Sequence, residues 1–575
     1  MSAVSLNPSQ SGPNDMEAAR GRRWIMSSWL DHFLIISTPL MVIPIVFACY
    51  IPLQVSAKTI SIFVGSFFAL GHHLPGMIRA YGDRELFQRF RWRFLLAPPL
   101  VFLAYFPLDR YHADAYHLII VTWAMWHGLM QLYGFVRIYD AKVGSVSRTT
   151  AYWDWLVCLC WFVTAPAFSP ARMSDFLANW YSIGGPVINP LTFQSSRWVL
   201  LGISITVLIG FFVNYLTKWL HGPKPNPVKL LMLCSGIGTW WFSVVFVENV
   251  ILGVALNDVC HDVQYLAIVW LYNSRRVNSN ARISSFMKFV FCRGMLLLYL
   301  GLIAAYGAIG LIPELMNDGT VVYIIDAFLW TSTILHYYYD GFIWKVREKE
   351  TSASLGLNST SSVVGAPRVR SFITGDYAHL LKWAPLVLVL SGLFVKDLVN
   401  PSLTQHRRDE LDQSYSQLLG GAANRLASEQ ERLWLSAQTD RTRLIADSVP
   451  GDRSIQLKAA TLLANLGHHD EALALLEKMV QNFPGSKEGY ETMGALHLLS
   501  GQFDRAAASF KNVLYLASSE QERATANLKL GIIGLYQNDP ASADARFNDA
   551  IRENPGLEPE ITGLRRSFST PDVRQ

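Results

Sequence analysis

Apolar and polar positions divide the chain into two parts near residue 400. Before that point, long apolar runs recur between short polar stretches rich in Arg and Lys. A helix rises about 1.5 Å per residue, so crossing the bilayer core takes about 20 apolar residues. The runs at roughly 31–53, 59–79, 94–107, 116–136, 153–168, 198–217, 229–254, 258–273, 287–312, 321–344 and 383–399 therefore predict about eleven spans. The third, fifth, eighth and last are short. The seventh and eighth form one stretch, divided only by Asn257-Asp258 and Asp262. Beyond residue 405 the apolar residues recur at helical spacing within polar sequence, which predicts amphipathic helices.

Charge adds an orientation. Basic residues cluster at Arg20–Arg23, Arg79–Arg93, Arg137–Arg148, Lys218–Lys229, Arg275–Arg282 and Lys345–Lys349. They alternate with turns of low charge, IPLQVSAK and LIPELMNDGT. The positive-inside rule then puts the N-terminus in the cytoplasm. An odd span count puts the C-terminal tail outside. The first 24 residues are polar and are expected to be disordered. The first apolar run is long enough to span rather than to act as a cleaved signal. Residues 350–367 are rich in Ser, Gly and Thr and read as a flexible loop.

Composition agrees with a membrane chain: 51% of residues are hydrophobic and only 16% charged, outside the usual range of soluble domains. The net charge of +5 is scattered, with no basic block suited to nucleic acid. Six cysteines lie in or beside apolar runs without paired CxxC spacing, which argues against a zinc knuckle or a disulfide framework. Cys158 and Cys160, two apart, point to different faces of a helix.

The tail repeats. Ala460, Ala472 and Leu476 recur 34 residues later as Gly494, Ala506 and Phe510. They recur again as Gly531, Ala543 and Phe547, with Pro484 matched by Pro555. Small residues let two helices approach closely, larger ones fill the next groove, and proline ends the second helix. This pattern resembles the tetratricopeptide repeat, with units at about 453–486, 487–520 and 524–557. The second unit has Ser518 where proline is usual, and no tryptophan marks the repeat starts. The resemblance implies a superhelical array that binds a peptide or partner protein.

The predicted organisation is all-α: a polytopic transmembrane bundle followed by a small soluble α-solenoid. The disordered N-terminus covers 1–24, the membrane domain 25–400, a helical connector 401–452, the repeats 453–557 and a C-terminal tail 558–575.

Candidate chemistry lies in the apolar runs. His72 and His73 are adjacent, and His127, His261 and His336 each occupy another run. Ionisable groups in a bilayer are costly and face a bundle interior, a cavity or a metal. Imidazole is a common ligand for iron, copper and zinc. Counting along helices, His73 is roughly 9 Å from Arg79, His127 roughly 15 Å from Arg137 and His336 roughly 14 Å from Lys345, which is one slab. His261 lies deeper, and one of the adjacent pair is expected to point away unless a π-bulge near Gly71 and Pro75 brings both in. His73, His127 and His336 are thus the leading metal ligands, followed by His72 and His261. Gln131, Asp258, Asp262 and Asp340 stand within one turn of these histidines and offer orienting partners. Asp340 is also the candidate catalytic, proton-handling acid, with Arg293 as its expected ion partner.

As a type of site this resembles the histidine-rich membrane iron enzymes, among them desaturases, hydroxylases and the carotene-cleaving membrane family. The HxxxH and HxxHH boxes of desaturases do not occur in the apolar runs. A mononuclear iron or copper site, or a haem with two axial ligands, suits histidines on separate spans better. The leading expectation is an integral-membrane, metal-dependent oxidoreductase acting on a membrane lipid or isoprenoid-like substrate. A cell-envelope scaffold without catalysis is the first alternative. A lipid-linked glycosyltransferase or polymer ligase is the second, although such enzymes usually carry acids in a large first outer loop. Here that loop is about IPLQVSAK, and the long loop 169–197 offers only Asp175.

Overall fold

A computed structural model describes residues 23–110, 115–183, 185–278, 282–316, 319–344 and 429–569, together with Leu388, Ser391, Gly392 and Val395. The expected disordered N-terminus, the loop at 350–367, most of the last apolar run and the first half of the connector lie outside the described residues. Among the described residues the regular elements are helices, joined by one isolated bridge between Asp83 and Ile283. They form two compact units.

The first unit contains α1 (Thr38–Tyr50), α2 (Ala57–Val64), α3 (His73–Gly82), α4 (Arg84–Arg110), α5 (Ala115–Lys142) and α6 (Arg148–Ala167). After α7 (Pro170–Ser182), most of which belongs to the second unit, come α8 (Pro190–His221), α9 (Val228–Trp241), α10 (Val250–Val277), α11 (Leu296–Gly307) and α12 (Gly319–Ile343). Six described stretches are long and apolar enough to cross a membrane, or eight if each of two sharply bent helix pairs is one span. This marks a membrane protein but corrects the expected count of about eleven. The runs at 94–107 and 258–273 lie on α4 and α10, which are not among these apolar stretches. Helix α4 opens with Arg84, Glu85, Arg89, Arg91 and Arg93, and α10 carries Asp258, Asp262, Arg275 and Arg276. With the count changed, the odd number that placed the tail outside loses its basis.

Helix α10 has an interior role instead. Leu252, Leu256, Val259, Asp262, Tyr265, Val269, Tyr272 and Asn273 are all buried along it. Asn249 caps its start by accepting from Leu252 N at 3.1 Å.

Between α2 and α3 the chain makes a π-helical turn over Gly65–Leu70, closed by Gly71 N donating to Ser66 O at 3.2 Å. The turn is pressed closely by α11. A Cβ on Gly307 would sit 2.5 Å from Ser66 O, and one on Gly71 would sit 2.9 Å from Ile303 Cγ2. Only glycine allows both approaches, and together they fix where His72 and His73 leave the turn.

The second unit comprises Met173–Tyr181, Val187–Gln194 and the described tail. The tail helices are α13 (Glu429–Ser448), α14 (Arg453–Asn465), α15 (His469–Asn482), α16 (Lys487–Leu499), α17 (Phe503–Leu516), α18 (Glu520–Tyr536), α19 (Pro540–Glu553) and α20 (Glu558–Ser569). Leu177, Tyr181, Ile445 and Val449 form one of this unit's buried clusters. The helices from α14 to α19 pair as three hairpins. The small–large pattern of the sequence is their packing code: Gly494 lies under the Phe510 ring and Gly531 under the Phe547 ring. The tail beyond 557 continues as α20, whose fully buried Ile561 joins the Phe547 cluster.

A Cβ at Gly531 would stand 2.5 Å from Phe547 Cε1. Gly531→Ala is therefore expected to destabilise the repeats by about 1–3 kcal/mol through overpacking. A thermal melt followed by circular dichroism checks this, and an unchanged midpoint would remove the close-packing account of the repeat.

Candidate functional site

Four helical stretches bring four histidines to one point in the first unit. His72 is the residue before α3, and His127, His261 and His336 lie on α5, α10 and α12. One ligand atom from each lies within 4.8 Å of every other. His72 and His336 are buried, and the other two are partly buried. His336 stands at the centre. Its Nε2 is 3.0 Å from His72 Nε2 and 3.1 Å from His127 Nε2. The His261 ring adjoins those of His127 and His72, with centroids 5.1 and 5.6 Å away.

His72 is oriented from its other nitrogen. Nδ1 is 2.9 Å from Asp262 Oδ1 and 3.1 Å from the Phe68 carbonyl oxygen. Both are acceptors, so Nδ1 carries the hydrogen, and the ring in its neutral form presents a lone pair at Nε2. The π-turn before Gly71 contributes here by placing the Phe68 carbonyl beside the ring.

His73 takes a different role from the one expected. Its Nδ1 is 3.0 Å from Ser332 Oγ, which is 2.8 Å from Tyr306 OH. Its ring stacks on that of His336, with centroids 4.6 Å apart. It therefore borders the four-histidine group without belonging to it, and His72 holds the position expected for His73. Adjacent positions diverge by about 100° on a helix, which explains the split. His261, expected to lie too deep, reaches the group because α10 runs through the interior.

Asp340 is 3.8 Å from His336 Nε2 through Oδ2. Its Oδ1 accepts from Tyr265 OH at 3.0 Å and from Trp344 Nε1 at 2.9 Å. These donors, rather than Arg293, hold it; Arg293 is exposed. Gln131 does not touch an imidazole nitrogen: its amide donates to the His261 carbonyl at 2.9 Å and so fixes α10 against α5. Tyr337 packs its ring 4.8 Å from that of His127. Tyr265, Ser332, Tyr306 and Trp344 also border the group, beyond the residues expected from sequence. A signal existed for two of them, since Tyr265 follows His261 by four residues and Trp344 follows Asp340 by four.

The six cysteines are all free, and Cys158 is buried while Cys160 is partly so.

The first unit is thus a bundle of apolar helices with a buried histidine group that has the donor set for a metal ion. Residues 455–486 match the tetratricopeptide repeat. A comparison with curated proteins finds no match for the chain.

Proposed function

We propose that the protein is an integral-membrane, metal-dependent oxidoreductase that holds iron rather than copper through His72, His127, His261 and His336. Its substrate is lipid-soluble, and its repeat tail binds a protein partner. The observation that carries this reading is the meeting of three Nε2 atoms at 3.0 and 3.1 Å. A hydrogen on His336 Nε2 can serve only one of its two neighbours, so at least one pair of nitrogens is left without a hydrogen bond. A cation satisfies all of them. Metal–nitrogen bonds of about 2.0–2.1 Å put neighbouring ligand nitrogens about 2.9–3.4 Å apart, which fits this spacing. An all-imidazole set with a carboxylate at its rim suits non-haem iron.

Iron in such a site would supply one-electron and oxygen chemistry. The chain's own residues set the conditions for it. Asp262 fixes the tautomer and orientation of His72. Asp340, anchored by Tyr265 and Trp344, is placed to hold or pass a proton beside His336. The apolar bundle admits a lipid-soluble molecule and limits bulk water.

Elemental analysis of the purified protein, with an ultraviolet–visible spectrum, tests the reading. Close to one iron per chain without a haem band is the expected result. His73→Ala is expected to retain metal and His72→Ala to lose it, because His72 Nε2 meets the group while His73 is held at Ser332. Metal-free protein from careful preparation would leave the repeat tail as the functional part and favour the scaffold reading.

A further inference from the structure

From the histidine group a line of side chains runs along three helices toward one edge of the apolar layer. On the first stretch it is His72, Gly76 and Arg79; on α10, His261, Tyr265 and Tyr272; on α12 and the residue after it, His336, Asp340 and Trp344. The spacings of three, four and seven keep each set on one helix face. The line ends at Arg79, in the last turn of the apolar stretch Ala57–Gly82.

Arg79 is only 3% exposed. Its guanidinium lies between two aromatic rings, 4.1 Å from the Tyr272 centroid and 4.0 Å from that of Trp344. Nη2 donates to Tyr272 OH at 2.8 Å. Nε and Nη1 are buried and have no partner. The nearby carboxylates are engaged elsewhere. Asp83 Oδ2 accepts from Arg276 Nε at 3.0 Å, and its Oδ1 accepts from the Glu85 and Leu86 backbone N–H groups. Asp340 Oδ1 takes the Tyr265 and Trp344 donors. A buried guanidinium with two idle donors and no carboxylate in hydrogen-bond contact is costly. Such a group is a standing site for an anion.

Between Arg79 and the histidines the helix carries Gly76. A Cβ there would meet Tyr265 OH at 3.0 Å and come within 3.9 Å of Asp340 Oδ1. Glycine thus lets α3 lie close against Tyr265 and Asp340. Seven helical residues separate His72 from Arg79, a rise of about 10 Å.

We propose that Arg79 binds the carboxylate head of an amphiphilic substrate whose apolar chain extends along this line to the histidine group. Arg79 marks the edge of the apolar layer, where the head of a membrane amphiphile lies. The position about 10 Å along the chain then faces the four imidazoles. A free anion would have to enter an aromatic-walled site in an apolar bundle on its own, whereas an amphiphile brings its head there by partitioning. This rests on the reading of the histidines as the reacting centre only for what happens at the far end of the chain. The anion site stands on Arg79 itself.

The test is equilibrium binding of radiolabelled oleate and oleyl alcohol to the full-length protein in lipid nanodiscs, with acetate as competitor and metal content measured on the same samples. Oleate is expected to bind at least about tenfold tighter than the alcohol, as an arginine–carboxylate pair implies. Arg79→Gln should abolish that preference while leaving metal content unchanged, and Arg79→Lys should restore part of it. Equal affinity of wild type for acid and alcohol overturns the proposal, as does a preference that survives Arg79→Gln. Displacement of oleate by millimolar acetate overturns the amphiphile and leaves a small-anion site. Wild type that discriminates the acid yet holds no metal overturns the oxidoreductase reading alone.

Discussion

Replacing His336 by alanine is expected to lower bound metal from near one per chain to background, with the protein still folded and membrane-inserted. His336 Nε2 is the nitrogen that meets two others, at 3.0 and 3.1 Å, so its loss removes the shared corner of the group. Changes to groups that merely orient ligands already cost about 10–100-fold in metal affinity. Loss of this ligand should cost more. The ring also stacks on His73 and is 99% buried, so alanine leaves a cavity as well. His336→Gln keeps most of the volume and separates the two effects: it should retain the melting temperature better than alanine while still losing metal. Elemental analysis beside a detergent-solution melt reads both. Undiminished metal in both variants and in His127→Ala would falsify the site.

The histidines were legible because each is an ionisable residue in an apolar run. Their grouping was less so. Depth counted from the nearest basic residue set His261 apart, because that count takes Arg275 and Arg276 to mark the membrane boundary, whereas Arg276 is buried against Asp83 and Glu85. In the fold α10 begins at Val250 and is buried along much of its length. The choice between His72 and His73 depended on the π-turn at Gly65–Leu70, whose extra residue shifts the face that follows. That turn is set by close contacts of Ser66 with Gly307 and of Gly71 with Ile303, pairs far apart in sequence. The repeats were readable because their packing is local. Gly531 and Phe547 meet within one hairpin, so periodicity alone exposes the contact.

Topology was read from basic residues as if each stood in solvent. Several do not. Arg276 pairs with Asp83 and Glu85, and Arg79 is buried between rings. Arg137 and Lys229 form an internal ion network. A charge neutralised inside the fold carries less topological information than one in an exposed loop, so the clusters at residues 79–93, 137–148, 218–229 and 275–282 each overstate the bias.

That network gives the second large effect. Lys229 is fully buried, with Nζ 2.8 Å from Asp140 Oδ2 and 3.0 Å from Asp154 Oδ1. Arg137 Nη1 bridges the same carboxylates at 3.1 and 2.6 Å. The backbone N–H of Asn226 donates to Asp140 Oδ1 at 3.0 Å, and its side chain donates to the Tyr139 and Arg23 carbonyls. Two cations and two anions thus balance where α5, α6 and α9 meet. Lys229→Met keeps most of the length of the side chain but leaves two buried carboxylates to one guanidinium. Stranding a buried charge in this way costs about 3–5 kcal/mol. The melting temperature of Lys229→Met should fall accordingly. Adding Asp154→Asn removes the excess charge and leaves the Arg137–Asp140 pair with its Asn226 contact, so the double variant should recover most of the loss. A cycle in which the two substitutions simply add would show that the four groups do not act as one network.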